Sequence, residues 1–191
     1  MVLSASLAVT AYIPQQLVKN AMRKVVFAGR SNVGKSSLLN ALFGQKLAKV
    51  SGRPGKTQSV NYYLAQAYNF YLVDLPGYGY AQANHSQRSA WGKLIEVFFD
   101  DVEQLKAVFV LLDSRLEPQD KDLEMIAYAR ERGFTVQGIL TKADKCSRQQ
   151  LTERLAIWSA ILPEPPLITS AKSKQGLSEL RRLILSRVGE E

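Results

Sequence analysis

No aspartate or glutamate precedes Asp74 in this 191-residue chain. The same stretch carries Lys19, Arg23, Lys24, Arg30, Lys35, Lys46, Lys49, Arg53 and Lys56, so it supplies the whole of the formal excess of +8. A basic segment of this kind attracts polyanions, nucleic acid most plainly. Cysteine is nearly absent. Cys146 alone excludes an internal disulfide framework and a cysteine-based zinc site, and it fits a reducing, cytoplasmic setting. Long apolar runs are missing too, so no bilayer-spanning helix and no membrane partner are expected. The apolar start, residues 1–9, lacks a basic leader and is soon interrupted by polar residues and Pro14, which argues against an export signal. The last four residues, Val188-Gly189-Glu190-Glu191, offer no cysteine for prenylation.

What is present is an alternation of apolar β-rich runs with amphipathic helical ones, the pattern of a doubly wound α/β domain. Strands are expected at 24–28, 60–66, 69–73, 107–112, 134–140 and 167–169, and helices at 35–43, 119–132, 152–161 and 177–188. The two strands at 60–66 and 69–73 are joined too tightly to be parallel and predict an antiparallel hairpin. The expectation is a three-layer α/β/α domain over 23–191, with a mostly parallel six-stranded sheet and one antiparallel edge strand. Residues 1–22 would form an amino-terminal extension packed on it. No repeat, linker or coiled-coil seam is visible, and a monomer is the default.

The string Gly29-Arg30-Ser31-Asn32-Val33-Gly34-Lys35-Ser36 lies between an expected strand and an expected helix, the context a Walker A loop requires. Its glycines let backbone N–H groups face phosphates at a helix N-terminus. Lys35 would neutralise the β- and γ-phosphates, and the Ser36 hydroxyl would bind Mg²⁺. Asp74-Leu75-Pro76-Gly77 follows a strand, where the carboxylate can hold a Mg²⁺-bound water and the Gly77 N–H can approach a γ-phosphate. Thr141-Lys142-Ala143-Asp144 also follows a strand. One carboxylate can accept both the N1–H and the 2-amino group of guanine, which adenine cannot supply on that edge. Lys142 would lie along the base and brace the phosphate loop. In Ser170-Ala171-Lys172 a backbone N–H could reach the guanine O6. Between the first helix and the hairpin, a Gly-, Pro- and Lys/Arg-rich segment contains Thr57, suited to close on Mg²⁺ and the γ-phosphate as a switch. His85, without an evident acid to orient it, reads as a surface histidine, and Trp91 and Trp158 read as core anchors.

Together, residues 29–40, Pro54-Gly55-Lys56-Thr57-Gln58, the string Asp-Leu-Pro-Gly-Tyr-Gly-Tyr-Ala at 74–81 and Thr141-Lys142-Ala143-Asp144-Lys145 resemble the EngB/YihA/YsxC family of small bacterial GTPases. The resemblance covers most of the chain, with the 74–81 string the most family-specific part. It implies a Ras-like P-loop GTPase acting in late assembly of the large ribosomal subunit, on rRNA and ribosomal proteins, with a link to normal cell division and septation. It also implies GTP contacts from residues 29–36, Gly55, Lys56, Thr57, Gln58, Ser59, residues 74–77, 141–144 and 170–172, with Ser36 and Thr57 as Mg²⁺ ligands. Thr141 stands where the general guanine motif has asparagine. Tyr78 stands where Ras carries the glutamine that orients the attacking water, so slow intrinsic hydrolysis is expected, stimulated by a partner or a cation. Asn32 occupies the position that helps bind K⁺ in related GTPases. A Ras-like signalling switch docking a protein, and an ATP-dependent enzyme on the same loop, are the competing expectations. The basic amino-terminal half counts against the first and Asp144 against the second.

Overall fold

The computed structural model describes residues 3–49, 59–79 and 85–189, the side chains of 85–91 excepted. Among these residues seven strands form one sheet: β1 (Ser6–Ala11), β2 (Arg23–Gly29), β3 (Val60–Ala65), β4 (Phe70–Asp74), β5 (Leu105–Asp113), β6 (Val136–Thr141) and β7 (Leu167–Ile168). Their order across the sheet is β1-β3-β4-β2-β5-β6-β7. β2 pairs in parallel with β4 and β5, and β5, β6 and β7 continue the parallel run. Such strands are covered on both faces, which is why 25–28 and 107–112 read as unbroken apolar runs.

Among the described residues five α-helices complete three layers: α1 (Lys35–Phe43), α2 (His85–Asp101), α3 (Asp120–Glu131), α4 (Arg148–Ile161) and α5 (Leu177–Arg187). Leu38, Leu39 and Leu42 of α1 share a core with Leu180 and Ile184 of α5 on one face of the sheet. On the other face, Leu94, Ile95, Phe98 and Phe99 of α2 meet Met125, Ile126 and Ala129 of α3 and Trp158 of α4. α1 starts from Gly34 and stops at Gly44, both left-handed. α4 starts with a capping box in which the Gln150 N–H donates to Ser147 Oγ at 3.2 Å and the Ser147 N–H to Gln150 Oε1 at 2.9 Å.

Two elements differ from the expectation. The sheet has seven strands, because Ser6–Ala11 in the supposed extension pairs antiparallel with β3. The reversed strand β3 therefore lies inside the sheet, between β1 and β4, and is not its edge. The register of β1 shifts between Leu7 and Val9. Such a bulge breaks the period-two alternation by which a strand is recognised. Leu3 and Ala5 are buried just before it, so the chain enters the core ahead of residue 23. The second difference is α2, where no helix is expected from the sequence. Its apolar stripe (Leu94, Ile95, Phe98, Phe99) is confined to the second half, and the polar first turns carry no helical period.

Among the described residues no helix is long and apolar enough to cross a membrane.

Candidate functional site

The parallel strands bring their carboxyl ends to one edge, where ligands of open α/β sheets bind. β2 ends at Gly29, β4 at Asp74, β5 at Asp113 and β6 at Thr141, and the register sets Phe27 beside Asp74, Gly29 beside Leu111, and Asp113 beside Thr141. Three separate strings of the sequence thus meet at one rim.

At the centre is the loop of residues 29–36. A Cβ on Gly29 would lie 2.9 Å from Val33 Cγ1 and 3.1 Å from Leu111 Cβ, so glycine is required there for close packing. Gly34 has φ +105° and Asn32 φ +65°, left-handed turns that bring the loop round into α1. The Lys35 ammonium reaches across to donate to Asp74 Oδ1, and both side chains are buried. The lysine expected to neutralise phosphate and the carboxylate expected to hold a metal-bound water are therefore neighbours. Ser36 follows on the first turn of α1. Asp74 is anchored by sheet pairing with β2 and by the Leu75 N–H donating to Phe27 O at 3.0 Å. Leu75 is buried and Pro76 with it. At Gly77 a Cβ would come within 3.1 Å of the Cα, N and Oγ of Ser31, so this turn lies directly against the phosphate loop.

On the β6 side, the Thr141 hydroxyl lies 2.7 Å from Val33 O and 3.1 Å from Leu112 O. This gives the residue in the variant first position of the guanine motif a task, holding the loop from beneath. Lys142, itself left-handed, donates to Asn32 O at 2.6 Å and to Asp113 Oδ2 at 2.8 Å. Its stem passes Gly34, where a Cβ would lie 3.6 Å from Lys142 Cε. The Ala143 N–H donates to Thr169 O at 3.1 Å, which ties the motif to the end of β7. Asp144 is exposed, and Ser170 Oγ donates to its Oδ1 at 2.6 Å. That bond, more than the flanking Lys145 and Lys172, holds the Asp144 carboxyl below its usual range against slight desolvation. Ser170 is fully buried and its Oγ also accepts the Ser173 N–H at 3.1 Å. Ala171 and the exposed Lys172 continue the turn.

Gly55, Lys56, Thr57 and Gln58 lie outside the described residues. Ser59 is buried at the start of the hairpin, with its hydroxyl 3.4 Å from Asn61 Oδ1. His85 opens α2, and its side chain and that of Trp91 lie outside what is described. Trp158 is a core anchor, as expected.

Tyr78 follows Gly77 against the phosphate loop. Its ring is buried, and its hydroxyl donates to Asp122 Oδ1 of α3 at 2.8 Å, so the phenol is turned into the core and not toward the phosphate loop's mouth. Burial first, then the Asp122 charge and hydrogen bond, push the phenol well above its ordinary value. Its reach and the apolar ring decide this placement, since a glutamine amide could not be buried so cheaply.

Sequence reasoning missed two carboxylates. Asp113, at the end of β5, takes two hydrogen bonds from the Arg115 guanidinium (2.9 and 2.7 Å) and one from Lys142. Burial would raise its pKa, but these donors outweigh it and bring it down to about 2. Asp122 is buried in α3, and desolvation lifts it to about 6 despite Tyr78 and the Arg30 charge. A strand-end aspartate after an apolar run was the available signal for Asp113; nothing in the sequence marks Asp122. A cavity of about 140 Å³ behind the phosphate loop is lined by Arg30, Asn32, Asp113, Arg115, Asp122 and Trp158.

Among the described residues, the basic side chains before Asp74 are not all at the surface. Lys24 is fully buried, donating to the backbone oxygens of Asn20 (2.6 Å), Met22 (2.9 Å) and Glu103 (3.3 Å), and desolvation lowers its pKa. Lys19 pairs with Asp101 at 2.8 Å, and Arg23 donates to the carbonyls of Tyr68 and Val188. Lys46 and Lys49 are exposed.

Comparison with known proteins matches residues 24–142 to the family model described as "50S ribosome-binding GTPase". The "Probable GTP-binding protein EngB" of Desulfovibrio desulfuricans is 49% identical over 181 residues, 94% of this chain and 90% of the relative. Those of Nitratidesulfovibrio vulgaris and Thermotoga maritima are 45% and 43% identical, covering 91% and 87% of this chain and 81% and 87% of the relatives. Among solved structures, a "probable GTP-binding protein engB" superposes with a TM-score of 0.71 at 22% identity, over 88% of this chain and 100% of that one. Aquifex aeolicus Era bound to GDP·AlF4⁻ gives the same TM-score and identity over 86% of this chain and 56% of that one. At that identity the two structures speak for the fold alone.

Proposed function

The chain belongs to the EngB family of GTP-binding proteins and has its Ras-like GTPase fold, and from that premise we propose that it is a GTP-gated factor in assembly of the large ribosomal subunit, linked to normal cell division and septation. The observation that supports the GTP-gated part is the rim itself. Lys142 Nζ joins the phosphate loop, through Asn32 O, to the motif that ends in Asp144. The strings proposed for guanine recognition and for phosphate binding are thereby joined by a direct hydrogen bond. The ribosomal part is supported by the matched family model, whose description names 50S ribosome binding, and by the exposed Lys46 and Lys49 of the basic amino-terminal segment.

In this proposal residues 29–36 wrap the phosphates, Asp144 accepts the guanine N1–H and 2-amino group, and the turn at residues 170–172 closes over O6. Ser36 and Asp74, a hydroxyl and a carboxylate beside Lys35, are hard oxygen donors that suit Mg²⁺, Asp74 acting through a water. Among the described residues no three acidic, histidine or cysteine side chains form a metal cage. With one hydroxyl and one carboxylate from the chain, phosphate oxygens and water would complete the shell of the cation. When bound, Mg²⁺ would neutralise charge developing on the β- and γ-phosphates. Thr57 would close on it, and Gly77 would offer its N–H to the γ-phosphate. Intrinsic hydrolysis is slow, because the position after Gly77 holds a phenol engaged with Asp122 in place of a water-orienting amide. Stimulation comes from the partner or from K⁺ held at Asn32, and equal rates in KCl and NaCl at matched ionic strength would remove the K⁺ part. The protein acts as a cytoplasmic monomer.

Co-sedimentation tests the whole. Purified protein should pellet with large ribosomal subunits in a non-hydrolysable GTP analogue, less so in GDP, and lose the association as salt is raised. Equal pelleting with both nucleotides, or none with either, would overturn it.

A further inference from the structure

Three elements of separate function meet at Asp122. Its Oδ1 accepts the Tyr78 hydroxyl at 2.8 Å. The Arg30 guanidinium lies close enough to lower its pKa. Asp122 stands in the first turn of α3, its backbone N–H donating to Gln119 O at 2.8 Å, so the carboxylate has a fixed base. Tyr78 and Arg30 are themselves joined as a parallel bridge continuing the β2–β4 pairing. The Tyr78 N–H donates to Gly29 O at 3.2 Å, and its carbonyl accepts the Ser31 N–H at 2.9 Å. The residue after Gly77 is thus docked on the phosphate loop by its backbone and on α3 by its side chain. Arg30 reaches further along the same strip: a Cβ on Gly79 would lie 3.6 Å from its Nε.

We propose that Asp122 is a positioning residue for nucleotide discrimination: through the Tyr78 hydroxyl it holds residues 77–79 in a docked arrangement that favours GDP, and GTP binding must release them. With Tyr78 bonded to the phosphate loop through both its backbone groups and Gly77 pressed on Ser31, the segment's polar groups face the loop. Any movement of residues 77–79 away from residues 29–31 that a γ-phosphate demands would break these backbone bonds, and the Tyr78–Asp122 bond opposes it. Arg30 offsets the buried charge while the bond is made. The inference rests on the family's GTP binding and not on the ribosomal reading, so a failed co-sedimentation leaves it standing.

The test measures affinities for GDP and for a non-hydrolysable GTP analogue in the full chain. Tyr78→Phe removes only the hydroxyl, and Asp122→Ala removes its acceptor. Each should raise the analogue-to-GDP affinity ratio about tenfold, the scale of one hydrogen bond to a charged group. The double variant should shift the ratio no further than either single one, since both act through one bond. Asp122→Asn, which keeps an acceptor oxygen, should restore much of the wild-type ratio. A merely structural role would lower the unfolding midpoint and weaken both nucleotides alike. An unchanged ratio in Tyr78→Phe, a shift toward GDP, or additive shifts in the double variant each overturn the proposal. Should Asp122→Ala fail to fold, Tyr78→Phe decides the matter alone.

Discussion

Asp113 Oδ2 accepts a hydrogen bond from Lys142 Nζ at 2.8 Å, and the same ammonium donates to Asn32 O at 2.6 Å. The carboxylate at the end of β5 is therefore the counter-charge that aims the guanine-motif lysine at the phosphate loop. Arg115 closes on the same carboxylate from the other side. Asp113→Ala should leave Lys142 with a single neutral acceptor and Arg115 unpaired. GDP and GTP affinity should both fall, by roughly tenfold to a hundredfold, the range for losing a charge-assisted bond in a partly buried site. Titration calorimetry checks this. Affinity within a factor of two of wild type would show that the Asn32 carbonyl alone positions the lysine.

Asp144 is an exposed residue whose Oδ1 accepts a hydrogen bond from Ser170 Oγ at 2.6 Å. A carboxylate there should accept the two guanine donors, whereas an amide presents one donor and one acceptor. Asp144→Asn should therefore lose GTP affinity by at least about a hundredfold and gain preference for xanthosine triphosphate. Competition binding with the two nucleotides measures it, and unchanged GTP affinity would refute the base-recognition assignment.

How much of this was legible in the sequence follows from the range of each interaction. The phosphate loop, residues 74–77 and residues 141–144 are local strings bound to strand ends, and strand ends are readable from apolar runs. Their convergence then follows from the parallel topology. Asp113 and Asp122 were not readable, because their roles depend on partners far along the chain: Lys142 for one, Tyr78 and Arg30 for the other. The basic excess points to a polyanion-attracting segment, but Lys24 proves to be a buried donor to three backbone carbonyls and Arg23 a donor to two more. Charge counts do not say which ammonium groups the backbone will recruit. β1 escaped because a bulge scrambles its alternation, and α2 because half of it is polar.

Asp122 also predicts a pH dependence of stability. Burial lifts its carboxyl from 3.8 to about 6, with Asp113 adding to the rise while Tyr78 and Arg30 oppose it. Between those values the folded chain binds a proton that the unfolded chain has lost, so unfolding releases it. The contribution is present in full below the ordinary carboxylate value and is lost as pH rises through about 6. Asp122→Asn cannot make this change. The stability of wild type relative to Asp122→Asn should accordingly fall by roughly 1–3 kcal/mol between about pH 4 and pH 7. Urea unfolding at the two pH values measures it. A constant difference would mean that the carboxylate stays ionised throughout.

Two glycines give opposite expectations from the same substitution. Gly176 caps the start of α5 at φ +70°, and a Cβ there would lie 2.1 Å from Ile168 O and 3.2 Å from Thr169 Cγ2. A left-handed backbone and a clash with a strand carbonyl cannot both be relieved without moving the turn that carries Ser170. Gly176→Ala should destabilise the fold by more than about 2 kcal/mol. It should also weaken GDP binding, because the Ser170–Asp144 bond moves with the turn. Gly92 sits inside α2 with nothing within 4 Å of a built Cβ. Gly92→Ala should stabilise by about 1 kcal/mol, since only backbone entropy and helix propensity change. Thermal unfolding midpoints of the two variants should move in opposite directions, with GDP affinity altered in Gly176→Ala alone. A loss of stability in Gly92→Ala would mean that α2 is not helical through residue 92 in solution.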